Sequence, residues 1–454
     1  MSQRWIRLSL VMCGCVLISF QPHPGVSTAR AESLSLASPN VINDWATIAQ
    51  NTIAPTVIGG ATLSAHGAMV PIAMYDAVVA IEGGYEPYTA PVIAPVGADV
   101  TAAVATAAYR VLHERFPAQQ GSLDSQYASY MSGIPDGQPK VDGAAVGEAV
   151  AQQLLSARAG DGLETCTGLC STTWVQPAPG PGVFEPFPAG SIPQGADLRF
   201  VRPWTMRSAD QFRPGGPLPL TSLEYADDWT ETRDWGSSTS TRRSSYDDDT
   251  ASFWAGQVPV MNRKTLWTAA TDYGLDLVQT ARLFAMGLTA TADSAIGCFE
   301  AKYHYMAWRP RHAIRRADTD GNPLTEPADP TWTPYLATPN HPEYPAAHSC
   351  GSYALYDTMR AFFGGDTTIR IETVSPPVPV STLIRTYDKF NDIEKETVDA
   401  RVFGGMHFRH SCMNGAQLGR KVSKNLVNNF FRPTSAVARH HATGLHTSMA
   451  VKWE

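Results

Sequence analysis

Apolar residues recur at a helical spacing over two long parts of the chain. Between about residues 40 and 160, runs such as GAMVPIAMYDAVVAIEG are alanine-rich, place apolar residues three and four positions apart, and end in glycine. The same spacing returns over residues 264–310. This period predicts amphipathic helices. Because strand-like alternation is scarce, the pattern predicts an all-α protein.

Prolines interrupt the helical pattern between about residues 165 and 219. The stretch WVQPAPGPGVFEPFPAGSIP cannot hold a helix, because each proline lacks a backbone donor and clashes with the preceding turn. Aromatic residues recur through this region, which favours a loop packed on the body over a free linker. Long loops of this kind often shape the mouth of a pocket, although plain structural covering is an equal alternative.

The first 31 residues have the pattern of an export signal. Arg4 and Arg7 precede an apolar run over residues 8–20, and Ala-Arg-Ala stands before Glu32. The apolar run is too short to cross a bilayer, which takes ~20 residues, and no later segment looks long and apolar enough. We therefore expect a secreted or periplasmic protein. A lipoprotein modified at Cys13 or Cys15 and a cytosolic protein with an apolar first helix are the alternatives.

Removal of that signal would leave five of the seven cysteines. Cys166 and Cys170 are close enough in sequence to form a small disulfide loop in an oxidising compartment. Zinc is the alternative, although the sequence offers no second close pair. The three other cysteines cannot all pair within the chain, so at least one thiol should stay free or buried.

Composition narrows the classes of function. Hydrophobic residues make up 43% of the chain and charged residues 17%, which suits a globular protein with a sizeable core. The formal net charge of −7 argues against broad binding to nucleic acid or to a membrane surface, since such binding needs a basic face. Any anion site must therefore be a local cluster of cationic residues.

The segment AKYHYMAWRPRHAIR contains a candidate pair of such cations. Lys302 and Arg309 are seven residues apart, which on a continuous helix is ~700°, within ~20° of two full turns. The spacing predicts that both side chains lie on one helix face and converge on one anion. A solvated basic stripe is the alternative, but the neighbouring residues are largely aromatic.

Two further segments contain histidines. In HPEYPAAHSCGSYALYD, His348 begins an apolar run that predicts a buried helix, where first-turn amides favour an anion. In DARVFGGMHFRH, Arg401 precedes His407 by six residues, with Gly404 and Gly405 between them. The two glycines permit a chain break that would bring both side chains to one point. His348 considered alone is more simply explained as structural, whereas His407 could be a nucleophile or a metal ligand.

Together these segments resemble the triple motif of the type 2 phosphatidic acid phosphatase and vanadium haloperoxidase superfamily. Its pattern is Lys, six residues, Arg-Pro; then Pro-Ser-Gly-His; then Arg, five residues, His. Four stretches of the sequence resemble the bacterial vanadium-dependent haloperoxidase branch: AHGAMVPIAMYDAVVAI nearer the start, and DSAIGCFEAKYHYMAWRP, HPEYPAAHS and GGMHFRH around the motifs. The resemblance covers roughly residues 40–432. It implies all-α helical bundles of the vanadium haloperoxidase and acid phosphatase type, with long Pro/Gly-rich loops.

The resemblance also implies roles for five residues. Lys302, Arg309 and Arg401 would hold the equatorial oxygens of vanadate, or of phosphate in its place. His407 would be the axial ligand to vanadium, and His348 would be the acid–base catalyst. The partners would be hydrogen peroxide, a halide and a small organic substrate. We expect no nucleic acid and no membrane span, and assembly into a homo-oligomer stays open.

Two departures from the motif affect this expectation. Ala346 and Ala347 stand where the family has Ser-Gly, so the hydroxyl is missing and the amide bonding the oxyanion must come from Ala347. If that position needs a positive φ, alanine costs ~1 kcal/mol there. Ser411 stands where many members carry an acid. Asp293 is a candidate to replace that acid by bonding an arginine or a histidine, and a helix-capping or solvent role for Asp293 is equally compatible with the sequence.

Three functions therefore compete. The first is a vanadate-dependent haloperoxidase that oxidises halide with peroxide. The second is a secreted acid phosphatase with His407 as nucleophile, and the third is a non-catalytic periplasmic oxyanion-binding protein.

We divide the chain into a signal peptide at 1–31, a helical region at 32–164, a Pro/Gly-rich loop region at 165–250, a catalytic helical region at 251–432 and a tail at 433–454.

Overall fold

A computed structural model describes residues 41–434, and in this range the protein is mostly helical, as the apolar spacing predicts. Its α-helices are α1 Val41–Ile53, α2 Gly60–His66, α3 Met69–Glu82, α4 Val100–Arg115, α5 Gln120–Ser132, α6 Gln138–Ala157, α7 Leu223–Gly236, α8 Ser245–Phe253, α9 Val258–Asp272, α10 Leu277–Tyr305, α11 Pro310–Arg315, α12 Ala347–Phe363, α13 Phe390–Phe403 and α14 Arg409–Asn429. Short 3-10 turns cover Ala54–Thr56, Pro117–Gln119, Ala196–Phe200 and Ala317–Thr319. Strands β1 Ile369–Glu372 and β2 Ile384–Tyr387 pair antiparallel, with Ile369 opposite Tyr387.

Helix α10 is the central element. It begins in a capping box, in which Asp276 and Gln279 each accept a hydrogen bond from the other's backbone amide. It ends at Tyr305, and the C-cap residue Met306 adopts a left-handed conformation. Most of its 29 residues are buried, because it packs against α3 on one side and against α12 and α14 on another. It therefore joins the N-terminal and C-terminal helices through one core.

Helices α12 and α14 approach each other closely because α14 carries glycines on the contact face. A Cβ atom added at Gly415 would lie 2.6 Å from the Ala346 carbonyl oxygen, and one at Gly419 would lie 2.4 Å from the Cys350 carbonyl oxygen. The same device joins α4 and α6 in the N-terminal half, at Gly143 and Gly147. The α12–α14 contact fixes the two segments that contain the motif histidines.

The proline-rich region is a loop packed on the body, with a helical end. Trp174 makes edge contacts with Phe184 and Tyr303, and Trp204 lies under the guanidinium of Arg158. Two aromatic residues of this region, Phe187 and Phe200, are exposed instead. Helices α7 and α8 occupy much of its last part, where we expected loop up to residue 250.

The close cysteine pair forms a disulfide, not a zinc site. Cys166 and Cys170 form a disulfide, whereas Cys298, Cys350 and Cys412 are buried free thiols.

One stretch of the described residues, Gly60–Glu82, is long and apolar enough by composition to cross a membrane, contrary to our sequence expectation. Most of it, 78% of its most apolar window, is buried inside the protein, which is the condition of a core helix. The predicted signal at 1–31 and most of the predicted tail lie outside the described residues.

The close α12–α14 contact generates a stability prediction. Gly419→Ala should destabilise the protein by ~1–3 kcal/mol, because the new methyl group meets the backbone of α12. Gly351→Ala is the matched control on α12, since a Cβ there meets nothing within 4 Å. That change should be neutral or stabilising by up to ~1 kcal/mol, because alanine is the better helix former. Denaturant unfolding of both variants tests this, and equal stabilities would contradict it.

Candidate active site

The motif residues come from the ends of three helices and from two connections between helices. Lys302 is in the last turn of α10, His348 is the second residue of α12, and Arg401 is in the last turn of α13. His407 lies in the connection from α13 to α14, beyond a glycine pair. In that pair Gly405 has φ +70° and a Cβ would lie 2.3 Å from the Gly236 carbonyl oxygen, so the turn requires glycine.

The prediction that Lys302 and Arg309 share a helix face was wrong. Helix α10 stops at Tyr305, and Arg309 lies beyond Met306 in an extended conformation at the start of α11. The two cations nevertheless converge on the segment that precedes α12. The Lys302 Nζ atom donates to the carbonyl oxygens of residues 342 and 343, and the Arg309 Nε atom donates to that of residue 341, each at 2.9 Å.

An open cavity of about 190 Å³ lies at this convergence. Its wall includes His348, Arg401 and His407 of the five predicted residues, together with Ala347 and His341. Lys302 and Arg309 are fully buried and do not line it. They form a layer behind the wall, and Arg309 contacts both His341 and His407.

His407 is held from both ring nitrogens. Its Nδ1 atom lies 2.9 Å from a carboxylate oxygen of Glu343, which also accepts from the backbone amide of Phe408 at 3.1 Å. Its Nε2 atom lies 3.0 Å from the Arg309 Nη1 atom. A guanidinium can only donate, so Nε2 is the acceptor and Nδ1–H points to Glu343. This is the tautomer that a metal-binding histidine adopts when a carboxylate orients it.

Arg401 has unused hydrogen-bonding capacity. It is 1% exposed, and its Nη2 atom donates to the Met406 sulfur at 3.1 Å. Its Nε and Nη1 atoms have no partner among the residues that the structure describes. Burial lowers its pKa to about 9, a value that leaves it cationic at neutral pH. A buried cation with two unpaired donors beside a cavity is a receptor for an anion.

The surroundings of the cavity are electropositive. Burial lowers the pKa of Lys302 to about 8 and that of Arg309 to about 10, and both remain largely protonated at pH 7. Burial, with the nearby cations, lowers the pKa of His348 and of His407 well below the usual range, so both rings are neutral. Burial raises the pKa of Glu343 to about 7, against the pull of Lys302.

The first turn of α12 adds backbone donors. Ala346 is the N-cap residue and its methyl side chain cannot bond the first amides of the helix. Ala347 and His348 line the cavity at this helix start, where an anion is favoured. Both alanines have negative φ, so the departure from Ser-Gly introduces no backbone strain.

Glu343 and His341 contact the predicted site residues His407 and Arg309, and sequence reasoning missed both although HPEYPAAHS contains them. The suggestion that Asp293 replaces the missing acid was wrong. Its carboxylate accepts from the backbone amides of Trp204 and Thr205, away from the motif. Ser411 only reaches the backbone carbonyl of Glu343, at 3.5 Å.

Part of the chain matches the model of a known protein family. Residues 282–436 match the family model of the VCPO second helical-bundle domain. This match includes all five predicted site residues, so the family resemblance read from the motifs is confirmed for this part of the chain. No curated protein matches the chain by sequence.

Solved structures share this fold over most of the chain. A bacterial vanadium-dependent iodoperoxidase has a TM-score of 0.71 at 22% identity, covering 87% of this chain and 97% of that one. The apo form of a bacterial vanadium-dependent chloroperoxidase has a TM-score of 0.63 at 15% identity, covering 91% and 96%. Its holo form has a TM-score of 0.62 at 16% identity, covering 90% and 95%. The structural likeness to these haloperoxidases therefore extends beyond residues 282–436, the part that matches the family model.

The unpaired donors of Arg401 generate a binding prediction. Arg401→Met should leave the ligand-free protein equally or more stable, because it removes an unpaired buried charge. The same change should weaken orthophosphate binding by about 10- to 100-fold, through loss of charge-assisted hydrogen bonds. Thermal unfolding with and without orthophosphate measures both effects.

Arg432→Met is the matched control, because Arg432 is half exposed and pairs with Glu86 at the surface. It should retain the wild-type response to phosphate. A destabilised Arg401→Met protein with unchanged phosphate affinity would show that Arg401 is only structural.

Proposed function

We propose that the protein is a vanadate-dependent haloperoxidase, which converts a halide, hydrogen peroxide and a proton into hypohalous acid and water. The observation that carries the proposal is the opening of Arg401 and His407 onto one cavity, with Arg401 unpaired and His407 oriented by Glu343. The names of the structural neighbours, bacterial vanadium-dependent iodo- and chloroperoxidases, support it.

The residues present fit a tetrahedral oxyanion such as vanadate. Arg401 offers its free Nε and Nη1 donors, and the first amides of α12 lie at the same cavity. Lys302 and Arg309 supply positive charge from behind. Arg309, now 3.0 Å from the His407 Nε2 atom, would donate to an oxygen of a group bound there. The His407 Nε2 lone pair would be the ligand to vanadium.

The residues of the chain supply orientation, charge and proton transfer. Bound vanadate would act as a Lewis acid toward peroxide, without a change of metal oxidation state. The three buried cations would stabilise negative charge on the reacting oxygens. Glu343 would keep His407 Nε2 unprotonated. His348, with a neutral ring, would accept a proton from peroxide as it binds and return it to the oxygen that leaves as water.

Vanadate-dependent turnover tests this function directly. The purified metal-free protein should oxidise bromide or iodide with peroxide only after orthovanadate is added. His407→Ala should abolish turnover by removing the ligand. His348→Ala should still bind orthovanadate but lose turnover ~100- to 10,000-fold, since it removes proton transfer. Glu343→Gln should weaken orthovanadate binding ~10- to 100-fold.

His113→Ala is the matched control, because His113 lies far from the cavity on α4. The proposal would be refuted if the wild-type protein, with saturating vanadate and peroxide, oxidised no halide from acidic to neutral pH. Phosphomonoester hydrolysis with a phosphohistidine at position 407 would establish the acid phosphatase instead. Phosphate binding without either reaction would indicate an oxyanion-binding protein.

We also propose that the enzyme is exported and matures by cleavage before Glu32. The support is the sequence pattern of residues 1–31, together with a Cys166–Cys170 disulfide, which is typical of oxidising compartments. Mass spectrometry of the natively produced protein should find an N-terminus near Glu32. A mature chain that retains Met1 would contradict this.

A further inference from the structure

A second cavity, of about 320 Å³, lies beside the candidate active site. Glu343 separates the two, because Glu343 lines the second cavity and bonds His407, which lines the first. This volume is at the lower end of the ~300–1,000 Å³ typical of small-molecule pockets. Residues 181–183 and 217–220 of the proline-rich region form much of its wall.

The wall is fixed by backbone pairing. The amide of Trp308 donates to the carbonyl oxygen of Gly182 at 2.9 Å, and the amide of Phe184 donates to that of Met306 at 2.6 Å. Between them Val183 forms a bridge with Ala307. The proline-rich loop is thus tied to the segment that follows α10, so the cavity is preformed rather than a gap under a loose loop.

Aromatic side chains give the cavity its character. Trp308, Phe408, Tyr225 and Tyr344 all line it. Tyr225 and Phe408 meet edge to face with centroids 5.8 Å apart. Rings arranged in this way favour a flat aromatic ligand, which can stack or make edge contacts with them.

One of these side chains carries a hydrogen-bond donor without an acceptor. Tyr225 is 4% exposed and Trp308 is 2% exposed. The Trp308 indole N–H points to the Tyr225 oxygen, and the Tyr225 hydroxyl has no acceptor among the described residues. Burial raises the pKa of Tyr225, so its hydroxyl stays protonated. An unsatisfied buried donor costs ~1–3 kcal/mol, so an acceptor atom in the cavity would be stabilised.

The charge of the wall decides which acceptor fits. Glu343 and Asp228 both line the cavity, and Asp228 accepts from the His410 amide at 2.8 Å. His410 is the basic residue in this wall. Asp228 and the partly ionised Glu343 outnumber it, and they disfavour an anionic ligand because a desolvated like charge would be repelled. An uncharged carbonyl or hydroxyl oxygen meets the Tyr225 donor without that repulsion.

We propose that this second cavity binds an uncharged aromatic compound that carries a carbonyl or hydroxyl oxygen. Its oxygen accepts from the Tyr225 hydroxyl, and its ring packs on the aromatic wall. Glu343 lies between this site and the oxyanion cavity. The proposal does not rest on the haloperoxidase function, since the ligand binds to the protein without vanadate.

Calorimetric titration of the purified protein with 4-hydroxyacetophenone tests the proposal. Its carbonyl is the uncharged acceptor, and 4-hydroxybenzoate, of similar size, is the anionic comparison. We expect saturable binding of the ketone and at least tenfold weaker binding of the carboxylate. Tyr225→Phe should weaken ketone binding about tenfold through loss of one hydrogen bond. Equal affinities for the two compounds, or no binding of the ketone, would overturn the proposal.

A cavity-filling variant locates the site. Leu218→Trp should abolish ketone binding, because Leu218 lines the cavity. Leu223→Trp is the matched control, since Leu223 is 67% exposed and outside the wall. Orthophosphate should still stabilise Leu218→Trp, which shows a folded protein with an intact oxyanion site. Unchanged ketone binding by Leu218→Trp would overturn the proposal. If the wild-type protein binds the ketone but no orthophosphate, that result counts only against the haloperoxidase function.

Discussion

Burial of three cationic side chains beside one cavity is the constraint on which the candidate site depends. Lys302, Arg309 and Arg401 are each at most 1% exposed, and the Glu343 carboxylate contacts His407. Charges removed from water cost several kcal/mol each unless partners replace the lost solvent. The surrounding chain therefore has to supply acceptors, or the site has to receive an anion.

The chain supplies acceptors for two of the three cations. The segment before α12 turns its carbonyl oxygens toward Lys302 and Arg309 and satisfies them with neutral acceptors. Arg401 is left with two free donors among the described residues. The fold thus stabilises two cations by itself, and the third is the one on which the proposed oxyanion binding depends. Close packing of α12 on α14, through Gly415 and Gly419, keeps this arrangement fixed.

Glu343 connects the site to the rest of the molecule. One of its oxygens orients His407 and bonds the amide of Phe408, and Phe408 in turn packs on Tyr225 in the wall of the second cavity. The proline-rich loop, which lacks regular structure over much of its length, forms part of that wall. The region therefore lines a cavity and also packs on the body, which agrees with both of the alternatives that its sequence left open.

The sequence by itself determined the helical character and five candidate residues of the site. Apolar spacing predicted the helices of both halves, since that signal depends only on near neighbours. The motif resemblance selected the cations and histidines, of which His348, Arg401 and His407 reach one cavity. Tertiary structure alone decided that Arg309 leaves the helix of Lys302, and that Glu343 rather than Asp293 supports His407. The physical reason is distance along the chain: Glu343 and His407 are 64 positions apart, and only the packing of the helices between and around them brings the two side chains into contact.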